Sequence, residues 1–277
     1  MKESYIVLIF IASLVTVFSM TESAYALSFN HYNDASKLVD ISGTGNQIIL
    51  SDDQATNVVT TTGRSGFFEA GNVCIGANGG IGKPDICGSM DFTNQQIPTA
   101  SVIFNGGNDN EVLLPYWDDL NPSQGGQIFW EEKIVDGINT LIVQWNDLPH
   151  FPSTGAVKFQ LQLFECGPIS ARYVYPDVDF GSSSIDFGAS ATIGYQSDPG
   201  TGLEISFNQP NFLANDDVID LIDDNNPCPL VAGKILPIDT VALLLTSLQI
   251  PNTLSLTFLL VPAGIFGVLY YNYKRRN

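Results

Sequence analysis

Leu141-Ile142-Val143-Gln144-Trp145-Asn146, followed by Val157-Lys158-Phe159-Gln160-Leu161-Gln162-Leu163-Phe164, is the stretch that decides the fold class. Leu141, Val143 and Trp145 fall on one face of an extended chain, and Ile142, Gln144 and Asn146 fall on the other. Val157, Phe159, Leu161 and Leu163 repeat the alternation against Lys158, Gln160 and Gln162. A repeat of two residues with one apolar face is what a half-buried antiparallel strand requires.

Outward from this pair the pattern continues. Ile169, Ala171, Tyr173 and Tyr175 alternate on one side, as do Leu203, Ile205 and Phe207 against Glu204, Ser206 and Asn208. Turn signals separate the segments at Asn121-Pro122, Asp136-Gly137, Pro152-Ser153 and Asp198-Pro199-Gly200. Asp136-Gly137, between Phe129-Trp130 and Leu141-Ile142, predicts a tight hairpin. Helical periodicity is nearly absent; a short helix at 241–248, or a second membrane-associated piece, is the one candidate. The expected fold is an all-β antiparallel sandwich over residues 27–212, a span such sandwiches commonly fill undivided.

The two ends define the compartment. Lys2, an apolar core, and Ala24-Tyr25-Ala26 have the order of a secretory signal, so 1–26 is expected to be removed. Residues 254–271 are uncharged and mostly apolar, and Lys274-Arg275-Arg276 follow. An apolar helix of about 20 residues spans a bilayer, and basic residues favour its cytoplasmic side. A single transmembrane helix at 253–273 with a cytoplasmic basic tail at 274–277 is therefore expected, leaving the domain extracellular. Residues 213–252, acidic at 215–226 and then rich in proline, are expected to be a linker or a last edge strand.

The net charge of −18 disfavours nucleic acid as a partner. Four cysteines, Cys74, Cys87, Cys166 and Cys228, lie between the two apolar ends, and an even count in an exported chain favours disulfides. Three pairings are open; Cys74 with Cys87 and Cys166 with Cys228 is the favoured one. Catalysis is not expected, because no Gly-x-Ser-x-Gly elbow occurs and the only histidines are His31 and His150.

Paired carboxylates at Asp118 and Asp119, with Asp52 and Asp53, have the oxygen chemistry of a calcium site, although capping of turns by these side chains ranks ahead. Trp117, Trp130 and Trp145 are candidate stacking residues for sugars, with burial in the core the favoured alternative.

Leu114-Pro115-Tyr116-Trp117-Asp118-Asp119-Leu120-Asn121-Pro122, then Gly126-Gln127-Ile128-Phe129-Trp130, the strands quoted above, and Ala191-Thr192-Ile193-Gly194-Tyr195 together resemble the extracellular domain of nidogen and related microbial surface proteins. Asp40-Ile41-Ser42-Gly43-Thr44-Gly45 resembles the opening of the microbial versions, while the region around Cys74 and Cys87 departs from them. Residues 235–245 resemble tails of surface proteins from ammonia-oxidising archaea. The resemblance implies an extracellular sandwich used in adhesion and surface assembly, with no catalytic residues to carry over. The expected partners are membrane lipid, through the C-terminal helix, and surface proteins or glycans; no cofactor is expected beyond calcium at the carboxylates above. A calcium-dependent or glycan-binding module, and an extracellular hydrolase, are the alternatives.

Overall fold

The structure is a computed structural model and describes residues 27–64, 68–83, 87–105, 111–152, 154–224 and 226–228. In chain order its strands are β1 (Ser28–Asn33), β2 (Asn46–Ile48), β3 (Ala55–Thr60), β4 (Gly71–Gly76), β5 (Ile81–Gly82), β6 (Ser89–Met90), β7 (Phe104–Asn105) and β8 (Val112–Trp117). There follow β9 (Gln127–Val135), β10 (Ile138–His150), β11 (Thr154–Phe164), β12 (Ile169–Asp177), β13 (Thr192–Asp198), β14 (Thr201–Phe207) and β15 (Asp217–Ile222).

The alternating strands build one face of the core. β10 and β11 pair in antiparallel register, Leu141 opposite Leu163 and Val143 opposite Leu161. They sit at the middle of a seven-stranded sheet ordered β1-β15-β12-β11-β10-β9-β2. A six-stranded sheet, β14-β13-β8-β5-β4-β3, supplies the second layer. Val143, Trp145, Phe159, Leu161, Tyr173 and Ile219 from the first layer share a buried cluster with Val73, Ile75, Leu113, Ile193 and Tyr195 from the second. Burial of a full aliphatic side chain contributes about 1.5–3 kcal/mol, so this cluster holds the two sheets together. The expected antiparallel sandwich is the observed fold.

The Asp136-Gly137 hairpin forms as predicted, with Val135 opposite Ile138. Asp136 and Gly137 both adopt left-handed backbone, φ 52° and 83°, the geometry whose twist matches that of the flanking strands.

Two expectations need correction. The sandwich does not stop at residue 212: the acidic stretch contains β15, an inner strand lying between β1 and β12. Its carboxylates are tolerated there because each meets a partner. Arg172 Nε donates to Asp220 Oδ1 at 2.6 Å, the Tyr32 hydroxyl donates to Asp220 Oδ2, and His31 lies 2.8 Å from Asp217. The second correction concerns Ile142, Gln144, Gln160 and Gln162, which are buried rather than solvent-facing. Residues 37–41 cross the outer face of the sheet as a strap, and Ile41 packs there with Phe129, Ile142 and Phe164.

Both favoured disulfides are formed, Cys74–Cys87 and Cys166–Cys228. The second ties the β11–β12 turn to the chain beyond β15. Arg64, fully buried, reinforces that junction by donating to Gly167 O at 2.8 Å and to Asp223 Oδ2 at 3.3 Å. No helix among the described residues is long and apolar enough to cross a membrane. The expected signal, the candidate helix at 241–248, the membrane span and the basic tail lie outside the described residues.

Candidate functional site

The acidic residues singled out in the sequence converge at one end of the sandwich. β8 ends at Trp117, and its all-apolar run fixes the following Asp118 and Asp119 at the sheet margin. Asp52 and Asp53 arrive from the turn that precedes β3. Asn78, fully buried, joins the two segments: its Nδ2 donates to Asp53 Oδ1 at 2.9 Å, its Oδ1 accepts from Leu120 N, and its backbone O accepts from Asp118 N. The adjoining Gly79 permits this approach, since it has φ 83° and an added Cβ would lie 1.9 Å from Tyr116 O.

The result separates the four expected ligands. Carboxylate oxygens of Asp52, Asp53 and Asp119 lie within 4.8 Å of one another. Asp118 is committed elsewhere: Ser190 Oγ donates to its Oδ2 at 2.6 Å, and its Oδ1 accepts from Asp119 N at 3.0 Å and lies 3.3 Å from His150 Nε2. The candidate set of four is thus a set of three, and Asp118 caps the turn, the role ranked first for it. Asp53 holds a left-handed backbone, φ 56°, a conformation that aspartate tolerates better than most residues.

The electrostatics follow from this crowding. Burial pushes Asp119 up to about 6; His150 opposes the shift, and Asp53, Asp52 and Asp118 add to it. Burial also raises Asp52, with Asp53 contributing. Burial would lower His150, but its bond to Asp118 and the charge of that carboxylate raise it overall. Three crowded carboxylates with hard oxygen donors match the chemistry of a divalent cation such as calcium, which takes its ligands from oxygen. Ser190 and His150 both address Asp118 rather than each other, so this trio does not make a nucleophile and base.

The three tryptophans have other work. Trp117 and Trp145 are fully buried, their Nε1 groups donating to Asp91 O at 2.7 Å and Gly76 O at 2.9 Å. Trp145 stacks on Phe159 with ring centroids 4.9 Å apart. Trp130 is half-buried against the main core. The favoured reading, burial in the core, holds for Trp145 in the cluster between the sheets and for Trp117 in a second cluster with Met90, Phe104 and Leu114, and the alternative of a sugar-stacking platform built from all three is not what these positions form. Asn78 and Ser190 were missed in the sequence. Only Asn78-Gly79, a turn signal, offered a hint of the first, and nothing local marked the second.

Comparison with curated proteins gave no match, and comparison with solved structures gave none either. A family model described as "NIDO related" matches residues 69–221. That span takes in Asp118 and Asp119, the β8 to β14 strands and most of β15, while Asp52 and Asp53 lie before it. Covering more than half of the 277 residues, and agreeing with the nidogen-like motifs of the strands, it establishes that this chain belongs to the NIDO-related family.

Proposed function

We propose that the protein is a non-catalytic structural or adhesive module, displayed outside a cell membrane on a single C-terminal transmembrane helix. The observation that carries the reading is the NIDO-related match over 69–221. Two disulfides within the same sandwich support it, because such bonds persist in oxidising, extracellular surroundings. The apolar run at 254–271 ahead of Lys274-Arg275-Arg276 supports the anchor. The test is labelling of intact cells that express the full chain with a membrane-impermeant amine reagent, followed by extraction with alkaline carbonate. Labelled protein that stays in the membrane pellet is the expected result; unlabelled or carbonate-soluble protein removes the reading.

A second reading has its own observation. The convergence of Asp52, Asp53 and Asp119 favours calcium as a structural ion that stiffens this end of the sandwich and conditions adhesion. Calcium added to chelator-treated protein is then expected to raise the melting temperature, with magnesium less effective. An unchanged melting temperature up to millimolar calcium excludes it.

A further inference from the structure

The sandwich protects its sheet edges unequally. At the β3 edge, Ala55 N donates to Gly88 O and Thr61 N to Glu132 Oε1, which closes the edge from both ends. At the opposite edge of the first layer, β2 has three residues only, and the exposed length of β9 beside it carries Glu131, Glu132 and Lys133. On β14, Glu204 Oε2 accepts from Ile97 N, so the edge bears a charge and a crossing loop. Short length, charge and covering segments are the usual means of blocking edge-to-edge pairing.

β1 has none of these. Its sequence Ser28-Phe29-Asn30-His31-Tyr32-Asn33 carries no lysine, carboxylate or proline. All six residues pair with β15 without a bulge, and β15 is its sole strand partner among the described residues. Asp34 N donates to Asp216 O just past the ladder. Antiparallel alternation then places the even-numbered residues of β1 on β15 and leaves the N–H and C=O groups of Phe29, His31 and Asn33 on the open side. Five of the six residues are exposed.

We propose that this edge pairs with β1 of a second copy of the chain, antiparallel about a two-fold axis, joining two seven-stranded sheets into one. The chemistry singles out a self-pair. A long-range repulsion between two chains of net charge −18 must be overcome; β1 itself brings no carboxylate to the contact, and Asp220 beside it is paired with the Arg172 guanidinium. Asp217 is paired with His31 and Asn33, and Asp220 with Arg172 and Tyr32. A two-fold axis places residues of one parity opposite the same parity, so Phe29 and His31 of the two copies meet on the inner face. Asn30 and Tyr32 meet on the outer face. One ladder of this length buries less than the roughly 1,200–2,000 Å² typical of stable complexes, so the pair is weak in dilute solution and gains from display on a surface. Raising the salt concentration strengthens it by screening the net charge.

Oxidative cross-linking of the full chain in detergent tests the arrangement. Asn30→Cys and, separately, His31→Cys place a thiol on or beside the axis; Val59→Cys, on the protected β3 edge and 70% exposed, is the control. Intact mass confirms that the native disulfides survive in each variant. Covalent dimer is expected from at least one β1 variant at roughly tenfold the control yield, an advantage of about 1.4 kcal/mol. The yield is expected to fall to the control level when Phe29→Lys is added. Equal yields from both β1 variants and the Val59→Cys control overturn the proposal. So does a high β1 yield that Phe29→Lys leaves unchanged, because then the contact does not run along this edge.

Discussion

Gln160 Nε2 donates to Gln144 Oε1 at 2.9 Å, directly across the β10–β11 pair, with both side chains fully buried. The two amides form the base of a ladder that holds the strap. Ile41 N donates to Gln144 Oε1, Val39 N to Gln160 Oε1, and Gln160 Nε2 also donates to Val39 O. Gln162 Nε2 continues the series to Lys37 O. Side-chain amides therefore do for the strap what a neighbouring strand would do, satisfying backbone groups that burial would otherwise leave unpaired.

Gln160→Leu keeps the volume but strands Val39 N–H, Val39 C=O and part of Gln144. A buried polar group left unpaired costs about 1–3 kcal/mol, so the expected loss is about 2–4 kcal/mol after some relaxation by water. Denaturant titration of the purified variant measures it. A loss below about 0.5 kcal/mol, the range of ordinary surface substitutions, shows that the strap is not held by this ladder.

These glutamines also mark where the sequence stopped being legible. Alternation located β10, β11, β12 and β14, and the Asp136-Gly137 dipeptide located the turn before β10, because period-two patterning is a local signal, while β13 was marked only by the nidogen-like motif. The strap's coverage of Gln144 and Gln160 is set by residues more than a hundred positions away, and a polar residue under cover looks like a polar residue in water. Asp217 and Asp220 misled in the same way: charge signalled a linker or an edge strand, and Arg172 with Tyr32, and His31 with Asn33, on the neighbouring strands make an inner strand tolerable. At the site, proximity in sequence suggested Asp118 with Asp119, yet successive residues at a strand end diverge. The partners that matter, Asn78 and Ser190, are brought in by the β4–β5 turn and by the turn before β13.

The two disulfides are expected to differ in weight. Cys166–Cys228 closes a separation of 62 residues and Cys74–Cys87 one of 13. Chain-entropy arguments assign about 4 kcal/mol to the longer and about 3 kcal/mol to the shorter. Paired serine substitution is therefore expected to lower the melting temperature more at Cys166 and Cys228 than at Cys74 and Cys87. The reverse order in calorimetry counts against the longer bond as the fastening of β15.

Glu111 gives a pH dependence with a definite sign. Burial pushes its carboxyl from 4.5 up to about 7, against the pull of Lys83 and with help from Glu69. The folded protein keeps this proton where the unfolded chain has already released it. Its contribution is thus most favourable below about 4.5 and is lost as pH rises through about 7. Glu111→Gln removes the titration, so melting temperatures of the parent and the variant are expected to diverge across that interval, the parent falling faster. Parallel curves from pH 4 to 8 contradict the assignment.

Asp119 and Asp118 are adjacent but predict opposite responses to calcium. Asp119, pushed up to about 6 by burial and by Asp53 and Asp52, is protonated below that pH, where a cation must displace the proton. Calcium stabilisation is then expected to fade as pH drops below about 6 and to vanish in Asp119→Asn at any pH. Asp118 already accepts from Ser190 and the Asp119 backbone, so Asp118→Asn leaves the calcium response in place while removing capping bonds at a cost of about 1–3 kcal/mol. Melting curves with and without calcium at pH 5 and pH 7.5, on the parent and both variants, separate the roles. If Asp118→Asn loses the response and Asp119→Asn keeps it, the three-carboxylate cluster is the wrong site.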